Sequence, residues 1–133
     1  MIFSQRTVSA AVWGGVFAIW LAFGPGAYAH AQLVKAEPAR RATMLEAPNQ
    51  VRLWFNEEIE KSYASVTVLD SAGNAVTAAK PAFADDDRKS LALALPPLLP
   101  GKYKVKFRVL SVDGHVVESS YEFTVKEKLP EKK

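Results

Sequence analysis

The sequence contains two histidines, His30 and His115, and no cysteine. His30 follows Ala27-Tyr28-Ala29, a small-x-small triplet of the kind signal peptidase accepts. Cleavage there would make His30 the first mature residue, offering an α-amine and an imidazole that can close one chelate ring. His115 ends the triplet Asp113-Gly114-His115. The amine, both imidazoles and the Asp113 carboxylate make three nitrogens and one oxygen, the tetragonal set that suits Cu(II). Asp113 and His115 lie two apart, so an extended backbone would turn both side chains to one side.

Each half of this set also has a plainer reading. Asp113-Gly114 is a favoured two-residue hairpin turn, because both residues tolerate positive φ. A single histidine after a turn reads as a solvated or hydrogen-bonded side chain, and His30 alone could be incidental. The coincidence favours a metal: the only two histidines fall on a chelating terminus and an Asp-x-His. Without cysteine, thiolate zinc, thiolate Cu(I) and blue-copper ligation are excluded. Met44 is the one methionine beyond the initiator and reads as a packing residue, so a thioether cluster is excluded as well. Asp85-Asp86-Asp87 lacks the spacing of a calcium loop and reads as a solvated turn. Glu57-Glu58-Ile59-Glu60 reads as a wet loop, with an acidic contact patch as its alternative. No Ser-His-Asp set and no phosphate-binding glycine loop is present, so no enzymatic activity is expected.

The terminal amine exists only if the leader is removed. Arg6 supplies the one charge before an uncharged run from Val8 to Phe23, and Gly24-Pro25-Gly26 then breaks any helix. A retained membrane anchor is the rival reading, but the run is short of the roughly 20 residues a bilayer-spanning helix needs. The expected organisation is a cleaved signal peptide over 1–29, one domain over 30–125 and a polar, disordered tail over 126–133. Export to the periplasm and no membrane insertion after processing follow from that division. If the leader stayed, the His30 nitrogen would be an amide and a poor ligand.

Without Arg6 the charges stand at 16 basic to 14 acidic, and the tail from Lys126 to Lys133 accounts for the excess. The body of the domain is neutral, which gives no support to nucleic-acid binding. A domain of this length can bury a modest core and fold without disulfides.

The elements that must position the candidate donors are strands. Ala31 to Lys35 predicts a first strand, Ala39 to Ala47 a loop with one helical turn, and Val51 to Phe55 a strand burying Val51, Leu53 and Phe55. Trp54 alternates out of that phase, which predicts packing on the opposite sheet face or partial exposure. Ser65 to Leu69 predicts a strand, Asp70 to Asn74 a turn, and Ala75 to Ala79 a returning partner strand. Ser90 to Leu95 alternates leucine with small residues. Tyr103, Val105, Phe107 and Val109 alternate with Lys102, Lys104, Lys106 and Arg108, and His115 to Val125 continues the pattern. Seven short strands with regular turns predict an all-β antiparallel sandwich of immunoglobulin-like architecture, whose ends gather the loops.

The mature region resembles the CopC family of periplasmic copper-binding proteins. The resemblance runs from His30-Ala31 through Glu37-Pro38-Ala39 and Val51-Arg52-Leu53-Trp54-Phe55. It is strongest in Leu99-Pro100-Gly101-Lys102-Tyr103-Lys104-Val105, Val109-Leu110-Ser111-Val112-Asp113-Gly114-His115 and Phe123-Thr124-Val125. It implies a seven-stranded Greek-key sandwich related to cupredoxins, and one Cu(II) per mature chain at His30, Asp113 and His115. It further implies a role in copper resistance, homeostasis or uptake, as a monomer beside a CopD-type inner-membrane protein. Some relatives carry a methionine-rich loop for Cu(I); this chain lacks it and matches the Cu(II)-only branch. Two alternatives stand beside this reading. One is a copper oxygenase resembling lytic polysaccharide monooxygenases, which also use an N-terminal histidine; the other is a binding sandwich in which metal has no part.

Overall fold

The computed structural model describes residues 31–84 and 86–128. The expected signal peptide, His30, Asp85 and the tail from Leu129 onward lie outside the described residues. Among the described residues, eight strands form two four-stranded sheets. They are β1 (Leu33–Glu37), β2 (Thr43–Met44), β3 (Gln50–Phe55), β4 (Ser65–Leu69), β5 (Ala82–Ala84), β6 (Asp87–Ala94), β7 (Gly101–Leu110) and β8 (Val116–Val125). One sheet has the order β1-β3-β6-β5 and the other β2-β8-β7-β4, so the fold is the expected all-β sandwich.

Period-two alternation builds it. β7 buries Tyr103, Val105, Phe107 and Val109 and leaves Lys102, Lys104, Lys106 and Arg108 in water. β8 answers with buried Tyr121, Phe123 and Val125, paired in register through Val105↔Tyr121 and Tyr103↔Phe123. From the facing sheet come Val51, Leu53, Phe55, Leu91 and Leu93. Tyr103 stacks on Phe123 at 5.4 Å between ring centroids, and Phe55 meets Phe107 edge-on at 5.6 Å. Trp54 lies on the outer face, as its phase predicts, with the Lys35 Nζ and the Arg52 guanidinium carbon each 4.6 Å from its ring centroid. Met44 is half-buried against the core.

Strand count and placement depart from expectation in several places, among them β6, which starts at Asp87 and so takes in a residue expected in a turn. Thr43–Met44, expected in a loop with a helical turn, pairs in parallel with Thr124–Val125 at the sheet edge. Ala75–Ala79 forms no strand; a single bridge joins Ala75 to Leu69. There Asp70 Oδ1 accepts the backbone N–H groups of Ala72 and Asn74, both at 3.0 Å, and curls the turn so that the chain leaves after one bridge. Ala82–Ala84, not expected as a strand, pairs with β6 at the edge of the other sheet. At the start of the domain the ladder begins at Leu33, because the Gln32 N–H bonds to the side-chain oxygen of Asn56 at 2.7 Å.

Candidate metal centre

The β7–β8 hairpin carries two of the three expected donors. The Ser111 carbonyl accepts the N–H of Gly114 at 2.9 Å, and the Ser111 N–H donates to the His115 carbonyl at 2.9 Å. The connection is therefore the three residues Val112, Asp113 and Gly114. It is not the two-residue Asp113-Gly114 turn that composition alone suggests. Of the three, only Gly114 has positive φ, at +92°. This is a type I turn closed by a left-handed glycine, the usual form of a three-residue hairpin loop. A methyl group at Gly114 would meet nothing within 4 Å, so backbone conformation and not space demands glycine there.

Ser111 anchors the turn. It is buried at 1% exposure, and its hydroxyl donates to Asp113 Oδ1. The same carboxylate oxygen accepts the His115 N–H at 3.2 Å and lies 3.2 Å from His115 Nδ1. These donors hold the Asp113 carboxyl below its ordinary range; the Ser111 hydroxyl has the largest effect, against partial desolvation, with His115 adding to it. The carboxylate is thus kept ionised and aimed at the imidazole. Both side chains remain about one-third exposed, 33% for Asp113 and 38% for His115. The pair does meet, but through the turn and its serine. His115 stands just after the loop and one residue before β8, not in an extended strand as expected.

A second loop fixes the base of this turn. Glu60 N–H donates to the Leu110 carbonyl at 2.8 Å, Val112 N–H donates to the Glu58 carbonyl at 3.1 Å, and Ile59 bridges Ser111. Ile59 is 2% exposed. The segment Glu57 to Glu60, expected as a wet loop, is therefore a clamp whose one apolar side chain enters the core. A lone isoleucine inside an acidic run was the available signal. Ser111 likewise stands in the sequence only as part of a motif; its supporting role comes from the hairpin geometry.

The described chain begins beside this site. Ala31 is 1% exposed and packs in the core, and Gln32 and Asn56 exchange two hydrogen bonds, of 2.7 and 3.0 Å. Asn56 leads directly into the Glu58–Ile59 clamp on Ser111 and Val112. The first described residues and the Asp113–His115 pair thus occupy the same end of the sandwich. His30 itself lies outside the described residues. Among the described residues no cluster of three or more His, Cys, Asp or Glu side chains could hold a metal, and Asp113 and His115 stand there as a pair.

Comparison with known proteins agrees with the sandwich fold. A family model for the CopC domain matches residues 33–126. The chain is similar to the copper transport protein CutJ of Bacillus subtilis, with 30% identity over 115 residues that cover 85% of this chain but only 21% of CutJ. The crystal structure of CopC from Methylosinus trichosporium OB3b superposes with a TM-score of 0.71 and 40% identity, covering 77% of this chain and all of that one. PcoC, a methionine-rich copper resistance protein from Escherichia coli, superposes with a TM-score of 0.66 and 29% identity, covering 74% of this chain and all of PcoC.

Proposed function

The chain belongs to the CopC domain family, and from that membership we propose that it is a non-enzymatic periplasmic carrier or buffer of Cu(II). One ion per mature chain would be held by the His30 amine and imidazole, the Asp113 carboxylate and the His115 imidazole. The observation that carries this reading is the meeting of Asp113 and His115, with the Asp113 carboxylate kept ionised and aligned by Ser111, at the end of the sandwich where Ala31 enters. Partial exposure of both groups suits reversible capture, because the cargo can exchange without the core opening.

PcoC differs from this chain in one respect that bears on oxidation state. PcoC is described as methionine-rich, whereas this chain has Met44 alone beyond the initiator. Nitrogen and carboxylate donors favour Cu(II), and soft thioethers favour Cu(I). A CopD-type inner-membrane protein is the proposed exchange partner. Among the described residues no helix is long and apolar enough to cross a membrane.

The test is Cu(II) titration of protein recovered from the periplasm, with its N-terminus verified by mass spectrometry and the site followed by electron paramagnetic resonance. One tight tetragonal site with nitrogen coupling is expected, lost when a residue is added before His30. The amine and imidazole titrate near about 7.7–8.0 and about 6.5 when unperturbed, so binding must release protons and weaken as pH falls through that range. Absence of a tight site in correctly processed protein, or binding that is flat from pH 8 to 5, would overturn the assignment.

A further inference from the structure

We propose that the groove between the outer strands β4 and β5 receives an extended acidic segment of a partner protein as a β-strand added beside Val66. β4 and β5 are the outer strands of their respective sheets, and they face each other across an open groove of about 960 Å³. Its floor is apolar, formed by Ile59, Val66 and Phe83.

The β4 edge offers unused backbone groups. In an antiparallel strand, successive residues turn their N–H and C=O groups to alternate sides. The Val68 carbonyl and the Asp70 N–H point away from β7, since they pair with Val76 and Asn74 at 2.9 Å each. By alternation Val66 points the same way, and no described backbone group pairs with it there. Such an edge is a template for another strand unless something guards it. Strand addition uses these groups for affinity and side-chain pockets for selectivity.

The rim selects the partner's charge. Lys61, Lys80 and Arg88 line the groove against the single carboxylate of Glu60. Lys61 reaches across it, its Nζ 5.8 Å from the Phe83 ring centroid. Three cations would reject a basic strand and attract an acidic one. At one end the groove is bordered by Val112, which is 55% exposed and adjoins Asp113. A segment seated here would therefore lie against the turn that carries the candidate ligands. The inference goes beyond copper binding, and its test uses metal-free protein, so failure of one leaves the other standing.

The experiment titrates ¹⁵N-labelled metal-free protein with a short capped peptide of alternating glutamate and valine, and with its lysine–valine counterpart. Amide shifts centred on Ser65–Thr67 and Ala79–Phe83, slowed exchange of the Val66 amide, and no response to the lysine peptide are expected. Combining Lys61→Glu with Lys80→Glu should weaken the acidic peptide about tenfold and admit the basic one. Four results would overturn the proposal. They are shifts centred instead on Lys102–Arg108, equal binding of both peptides, no shift at millimolar peptide, or self-association at the same amides without peptide, which would make a second copy the occupant.

Discussion

Replacing Gly114 separates conformation from space at the candidate site. Its φ of +92° lies in the left-handed region, and an added methyl group would touch nothing within 4 Å. Gly114→Ala therefore carries no steric clash, only the cost of forcing an L-residue into that region, about 1–2 kcal/mol. Against it stands the reduced freedom of the unfolded chain, about 0.4–1 kcal/mol in alanine's favour. The net expectation is a loss of about 1 kcal/mol, seen as a Tm lowered by about 4–8 °C in a domain of this size. Gly114→Asn should cost no more than about half as much, because asparagine enters the left-handed region more readily. Urea and thermal denaturation of the metal-free protein, followed by circular dichroism, read both variants. Equal losses for alanine and asparagine would refute the conformational argument. A loss above about 3 kcal/mol for alanine would mean that the turn meets a neighbour the open space does not show.

Ile59→Ala should destabilise the domain by about 2–4 kcal/mol and Ile59→Val by about 1 kcal/mol, because the side chain is buried where the β3–β4 connection meets Ser111; chemical denaturation showing less than 1 kcal/mol for alanine would remove the clamp from the account. Tyr121→Phe should leave stability unchanged or raise it by up to about 1 kcal/mol, since the buried Tyr121 hydroxyl has no hydrogen-bond partner among the described residues. A clear loss would reveal a partner. Burial raises the phenol pKa values of Tyr121 and Tyr103, opposed for Tyr121 by the positive charge of Arg40 and reinforced for Tyr103 by the negative charge of Asp70. Their folded values lie above the unfolded one, so this stabilisation is full below about pH 10 and declines as pH rises through the folded values. Phenolate absorbance should accordingly show Tyr121 and Tyr103 ionising at higher pH than an exposed tyrosine, Tyr121 the more resistant; ordinary titration of every tyrosine before unfolding would contradict it.

Much of this protein was legible in the chain because its dominant signals are local. Alternation in Val51–Phe55, Tyr103–Val109 and Tyr121–Val125 defines which side chains go inward, since a strand's faces repeat every two residues whatever surrounds it. The types of the candidate donors were equally legible, as only two histidines exist and one of them stands two residues from an aspartate. Where the chain misled, nonlocal pairing decided the outcome. Thr43–Met44 is too short to form a strand unaided and becomes one only because the β8 edge is there to pair with. Ala75–Ala79 has strand-like composition, yet Asp70 curls the turn before it and only one bridge to β4 forms. The sequence by itself determined the sandwich, its inward faces and the chemistry available at Asp113 and His115. Tertiary structure alone decided that Ser111 is buried beneath the turn, that Ile59 clamps it, and that Ala31 enters at the same end. Those contacts join residues far apart in the chain, and no local pattern can encode which distant backbone a given residue will meet.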